Sequence, residues 1–99
     1  MSRARFLVVA PHDPEECLDA IEWTINQGPG FQEAYEWGCQ VGNHTGYVFV
    51  RAGGPQEAID DYVPAFLRGR AVAYRLSQIR ARDLGMMREE AEAREAREA

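Results

Sequence analysis

The chain contains no lysine: all eleven of its basic residues are arginine. Schiff-base chemistry and a lysine general base are excluded with it. Cysteine is scarce too. Cys17 and Cys39 are too few for a disulfide framework and read as reduced thiols. Basic residues are outnumbered by acidic ones, and the net charge of −5 disfavours nonspecific binding to nucleic acid, whose phosphates need a positive surface. Long hydrophobic runs are missing. The longest, Phe6 to Ala10, is far too short to span a bilayer, and no apolar segment of signal-peptide length precedes a small-residue cleavage site. Gly53-Gly54 lacks the lysine and the glycine spacing of a phosphate loop. The expectation is a cytoplasmic protein with no membrane or nucleic-acid partner.

What is present amounts to one small domain. With 99 residues, 45% of them apolar, the chain supports a thin core, burying about 65% of the surface it exposes when unfolded. Its unusual residues concentrate in Phe31 to Ala52, FQEAYEWGCQVGNHTGYVFVRA. Tyr35, Trp37 and Cys39 are spaced two apart, as on one face of a strand, and VGNHTG supplies turn residues before Tyr47 and Phe49. This reads as a β-hairpin.

Upstream, Arg5 to Ala10 predicts a strand buried on both faces, ended by Pro11. Asp13, Pro14 and the two following glutamates start a helix that runs to about Gln27, with Leu18, Ile21 and Ile25 at helical spacing and Cys17, Ala20 and Thr24 alongside. Gly28-Pro29-Gly30 stops it. Downstream, Pro55 opens a second helix carrying Ala58, Ile59, Tyr62 and Val63, which Pro64 ends, leaving Ala65 to Leu67 as a separate turn. Ala71 to Ile79 alternates and predicts the last strand. The order βαββαβ implies an α+β domain over residues 1–79, with a four-stranded antiparallel sheet and both helices on one face. Residues 80–99, rich in Ala, Glu and Arg, form a charged tail, helical or disordered, whose end is expected to fray.

The other sheet face is expected to stay open. With the small aliphatic residues Gly46, Val48 and Val50 under the helices, that face would carry Tyr35, Trp37, Tyr47, Phe49 and Tyr74, more aromatic area than a monomer leaves bare. A second copy is the expected cover, giving a homodimer.

The segments RFLVVAPH, WGCQVGNHTGY and VPAFLRGRA, set among these helices, resemble a group of small bacterial ferredoxin-like proteins of unassigned function. More broadly the topology resembles the dimeric α+β barrel superfamily. The likeness covers roughly residues 4 to 79 and excludes the tail. It implies a ferredoxin-like dimer and a chemistry drawn from cofactor-free monooxygenases, isomerases or small metal-binding proteins. In several such families a pocket between sheet and helices takes a histidine from a strand end, and here only His12 and His44 match.

Those two histidines are the catalytic candidates. His12 precedes a helix start, where it serves as a base or merely bonds the loop. His44 sits in the hairpin turn, facing a site or solvent. Trp37, Cys39, Tyr47, Tyr35 and Arg51 are the candidate ligand-binding residues, near residues 37–47. Cys39 reads first as a small buried hydrophobe and second as a reactive thiolate. Tyr47 and Tyr74 read more readily as core than as ligand donors. Arg51, Arg68, Arg70 and Arg75 form an anion clamp or pair with acids such as Glu57, Asp60 and Asp61. His12 with Cys17 and Cys39 with His44 make two pairs of metal-ligand types, yet neither spacing is a known structural zinc pattern and nothing in the sequence brings the pairs together, so no metal or cofactor is assigned.

Two functions remain in view. One is a cofactor-independent enzyme, monooxygenase- or isomerase-like, acting on a small aromatic or polyketide-like substrate by histidine proton transfer. The other is a noncatalytic dimer that binds a ligand, a metal or a partner.

Overall fold

A computed structural model describes residues 3–98. The ends of the two expected segments, residues 1, 2 and 99, lie outside them. The chain is α+β, with a four-stranded antiparallel sheet ordered Glu36–Trp37 (β2), Thr45–Ala52 (β3), Ala4–Pro11 (β1), Val72–Leu76 (β4).

Strand β1, Ala4–Pro11, is central, paired with β3, Thr45–Ala52, on one side and β4, Val72–Leu76, on the other. Its alternation is real. Phe6, Val8 and Ala10 are buried, whereas Leu7 and Val9 are only half-buried, so the expectation of burial on both faces is corrected: helices cover one face alone. Val48, Val50 and Ala52 of β3 share the covered face, and Ala20, Ala58, Ile59, Val63 and Leu67 close over it.

The first crossover begins at Asp13. The Asp13 amide donates to Glu16 Oε1 at 2.8 Å, and a 3-10 turn, Pro14–Glu16, leads into α1, Cys17–Asn26. The buried stripe of α1 is Cys17, Ala20 and Thr24, while Leu18 and Ile25 are 78% and 48% exposed. That reverses the expected weighting. Small residues bring the helix close to the sheet, and the Thr24 hydroxyl is satisfied by donating to the Ile21 carbonyl at 2.7 Å.

Gly28, at φ 116°, ends α1 as expected, but Pro29 then opens a further helix, α2, Pro29–Ala34, which the period-two reading placed partly in a strand. Phe31 stacks on Tyr62 there and meets Trp23 edge-on. The hairpin strand that remains is β2, Glu36–Trp37, of two residues. A 3-10 turn, Cys39–Val41, and Gly42 at φ 86° return the chain to β3. Cys39 therefore lies in a turn, off the strand face expected for it.

The second helix of the sheet layer is α3, Pro55–Tyr62, followed by a 3-10 turn, Ala65–Leu67, with Pro64 between them. Arg68 donates to the carbonyls of Val63 and Asp60, both at 2.9 Å, and so caps α3. The tail forms α4, Ala81–Glu98, helical to its last described residue and without a buried side chain.

The open face carries Tyr47, Phe49, Val72 and Tyr74 but not Tyr35 or Trp37. Trp37 opposes Gly46, on the covered face. A Cβ on Gly46 would stand 2.8 Å from Trp37 Cζ3, so the indole lies directly across the glycine. Tyr35 is 5% exposed, stacks on Trp37, and donates its hydroxyl to the Tyr62 carbonyl. With β2 so short, these two rings fold inward, Tyr35 toward α3 and Trp37 over Gly46 and His12.

Candidate metal centre

Four chain segments converge where β1 ends and β3 begins. The His12 amide donates to the His44 carbonyl at 3.0 Å, extending the β1–β3 ladder beyond the paired strands and fixing both histidines at one end of the sheet. Cys17 is the first residue of α1, and Cys39 is the first residue of the turn after β2.

Their donor atoms meet. His12 Nε2 lies 3.1 Å from Cys17 Sγ and 3.2 Å from Cys39 Sγ. The two sulfurs are 3.1 Å apart, both cysteines free, and His44 Nδ1 is 3.0 Å from Cys17 Sγ. One donor atom from each residue falls within 4.8 Å of the others. A tetrahedral zinc with Zn–S of about 2.3 Å and Zn–N of about 2.0–2.1 Å sets its ligands about 3.3–3.8 Å apart, so side-chain adjustments of up to about 1 Å fit this cluster to such an ion.

The surroundings suit a ligand set. His12 Nδ1 is 3.3 Å from the Ala10 carbonyl, which only accepts, so Nδ1 carries the proton and Nε2 presents its lone pair to the sulfurs. The Trp37 ring packs edge-on against His12 and forms an apolar wall. His12 and Cys17 are buried, while Cys39 and His44 are half-buried, so the site opens to solvent on one side.

The start of α1 is braced by the loop that leads into β4. Arg70 grips the Glu16 carboxylate with two donors, at 2.8 and 2.9 Å, and approaches Asp13 at 3.8 Å. The Arg70 hydrogen bonds, with that from the Asp13 amide, hold the Glu16 carboxyl down at about 2. Burial and the neighbouring Cys39 sulfur push the Cys17 thiol up to about 11.

Of the residues singled out in the sequence, the structure brings together His12, His44 and Cys39, with Trp37 beside them. Cys17, weighed only as a metal ligand, completes the cluster. A signal for it existed: histidine and cysteine are five residues apart in both pairs, His12 to Cys17 and Cys39 to His44. Tyr35 is committed to the core. Tyr47 lies on the open face, its hydroxyl accepting from Asn43 Nδ2 at 2.7 Å. Arg51 stands at the far end of β3. Three clefts, of about 350, 300 and 530 Å³, open elsewhere on the described residues, and Arg51 alone of the expected site residues lines any of them.

Comparison with family models, with curated proteins and with solved structures finds no match to this chain.

Proposed function

We propose that the chain is a metal-binding protein whose His12, Cys17, Cys39 and His44 hold one divalent cation of zinc type. The observation that carries this reading is the meeting of four nitrogen and sulfur donors, from four separate segments, within 4.8 Å. Two thiolates and two imidazoles suit zinc and, by the same softness, cobalt(II) or nickel(II). Four protein ligands fill a tetrahedral shell and leave no position for substrate, so the cation would staple the hairpin to the first crossover and contribute to folding. Half-exposed Cys39 and His44 give it a route in and out. Proton transfer by His12 or His44 is less well supported, because His12 Nε2 and His44 Nδ1 face the cysteine sulfurs.

Cobalt(II) titration of the chelator-stripped protein, followed by visible absorption, tests this. One equivalent per chain with an intense tetrahedral spectrum, displaced by zinc, is the expected result; substoichiometric or weak octahedral binding would overturn it.

A second reading concerns assembly. The βαββαβ order, with α1 and α3 packed on one face, supports the ferredoxin-like arrangement, and the open face leaves Phe49 and Tyr74 52% and 55% exposed on either side of Leu7. A second copy, bringing the same apolar rows, is the partner we assign to them. Sedimentation equilibrium of a Leu7→Glu variant reads this out, and a wild-type monomer at high concentration would exclude it.

A further inference from the structure

Away from the cysteines, the two central strands end in an arrangement of another kind. On the open face, strand register sets three rows across β3, β1 and β4: Tyr47–Val9–Val72, Phe49–Leu7–Tyr74 and Arg51–Arg5–Leu76. The first two are apolar or aromatic. The third puts two guanidinium groups on directly opposed residues, whose Cβ atoms stand about 4.5–5.5 Å apart and whose like charges repel.

Several other arginines are matched. Arg70 pairs with Glu16 and Asp13, Arg3 lies near Glu57, and Arg68 caps α3. Arg5 and Arg51 are exposed, and among the described residues no carboxylate pairs with either, in a chain of net charge −5. Arg5 lies over the Phe49 ring, 4.7 Å from its centroid, a contact that holds the guanidinium beside the cleft. The two arginines line a cleft of about 530 Å³ with Leu76, Ser77 and Gln78, a volume within the range of small-molecule sites. Ser77 brings a hydroxyl donor. Gln78 Oε1 already accepts from Arg80 at 3.1 Å, which leaves its amide nitrogen to donate elsewhere.

We propose that this cleft binds a small molecule bearing an oxyanion, a carboxylate or a phosphate ester, on a compact apolar group. The paired guanidinium forks take the oxyanion through parallel charge-assisted hydrogen bonds, and the bound charge relieves their mutual repulsion. Leu76 meets the apolar part. The proposal rests on the arginine register and is independent of the metal.

Amide NMR titration of the full chain with phenyl phosphate, benzoate and inorganic phosphate tests it. Saturable shifts at Arg5, Phe49, Arg51, Ser77 and Gln78 are expected, the tighter organic probe telling phosphate ester from carboxylate, with inorganic phosphate weaker than either. Arg51→Ala and Arg5→Ala, both at exposed positions, should each weaken binding about tenfold or more, and Arg51→Lys, which keeps the charge but loses the fork, by an intermediate factor. Unchanged Cys39 and His44 resonances verify that the variants fold. Shifts that never saturate, binding indifferent to both alanine variants, or inorganic phosphate bound as tightly as phenyl phosphate would each overturn it. So would movement of the Arg5, Arg51, Ser77 and Gln78 resonances with protein concentration and no probe, which assigns the arginines to contacts between copies; movement of Phe49 alone belongs to the assembly of the open face.

Discussion

The two ends of the β1–β3 ladder use the same pair of strands for opposite purposes. At one end His12 and His44, joined by a backbone hydrogen bond, are enclosed by α1 and the turn after β2, and their donors lie within hydrogen-bonding distance of two sulfurs. At the other, Arg5 and Arg51 are opposed in register on an exposed surface, and among the described residues no carboxylate pairs with either. Burial explains the difference. The first end assembles soft, neutral donors that tolerate being taken out of water, whereas bare guanidinium groups remain where water and counterions screen them. The comparison teaches that a four-segment convergence and a cross-strand register each concentrate one chemistry, and that the first is costlier to disturb.

The largest effect expected from breaking that contrast is loss of the metal. His12→Ala or Cys17→Ser should weaken zinc binding by more than the 10- to about 100-fold that loss of an outer partner of a ligand costs, whereas Arg51→Ala should leave zinc affinity unchanged. Competition with a chromophoric chelator measures both. Equal losses in the two variants would dissolve the distinction between the ends. Next in size is Gly46→Ala. Its Cβ would stand 2.8 Å from the indole of Trp37, the wall behind His12. Destabilisation of about 1–3 kcal/mol is expected from this overpacking, seen in urea unfolding, and stability at the wild-type level would mean that the indole has somewhere else to go.

Much of the fold was legible because it rests on local rules. Pro55 and Pro64 bracket α3, Asp13 and Pro14 mark the first crossover, a short apolar run marks β1, and alternation marks β3 and β4. Besides the two-sided burial expected of β1 and the face expected of α1, the main error comes from reading period two through residues 31–41. Tyr35 and Trp37 do stack, and Phe31 packs on Tyr62, but through a short helix and inward-turned rings, since β2 spans only two residues. Pro29, read as a stop, is also a good first helical residue. The four ligand-type residues were visible singly and as two pairs. Their meeting depends on α1 crossing the sheet to the side of the turn after β2, which no local spacing encodes.

The brace on the cluster side should be sensitive to acid. Glu16 titrates near 2 in the fold against 4.5 when unperturbed, through its hydrogen bonds from Arg70 and the Asp13 amide. A depressed carboxyl stabilises the fold above its unfolded pKa, so this contribution is complete above about 4.5 and is lost as the pH falls toward about 2. Thermal melts of the metal-free protein across that window should show a steeper acid decline for wild type than for Glu16→Gln. Parallel curves would mean that the Arg70 contact is not kept in solution.

The smallest effect, and the one of opposite sign, belongs to the arginine end. Arg51→Thr removes one of two opposed like charges from an exposed strand position, and threonine suits a strand. Its backbone carbonyl, which accepts from Arg3 at 3.0 Å, is untouched. The melting temperature should therefore rise slightly at low ionic strength, and the gain should shrink as salt screens the pair over a Debye length of about 10 Å at 0.1 M. A salt-independent loss of stability would show that Arg51 contributes through the packing of its aliphatic stem, and that its guanidinium is not strained by its neighbour. A salt-dependent gain would leave the pair as charge held in place without a partner of its own, which is the condition an incoming anion meets.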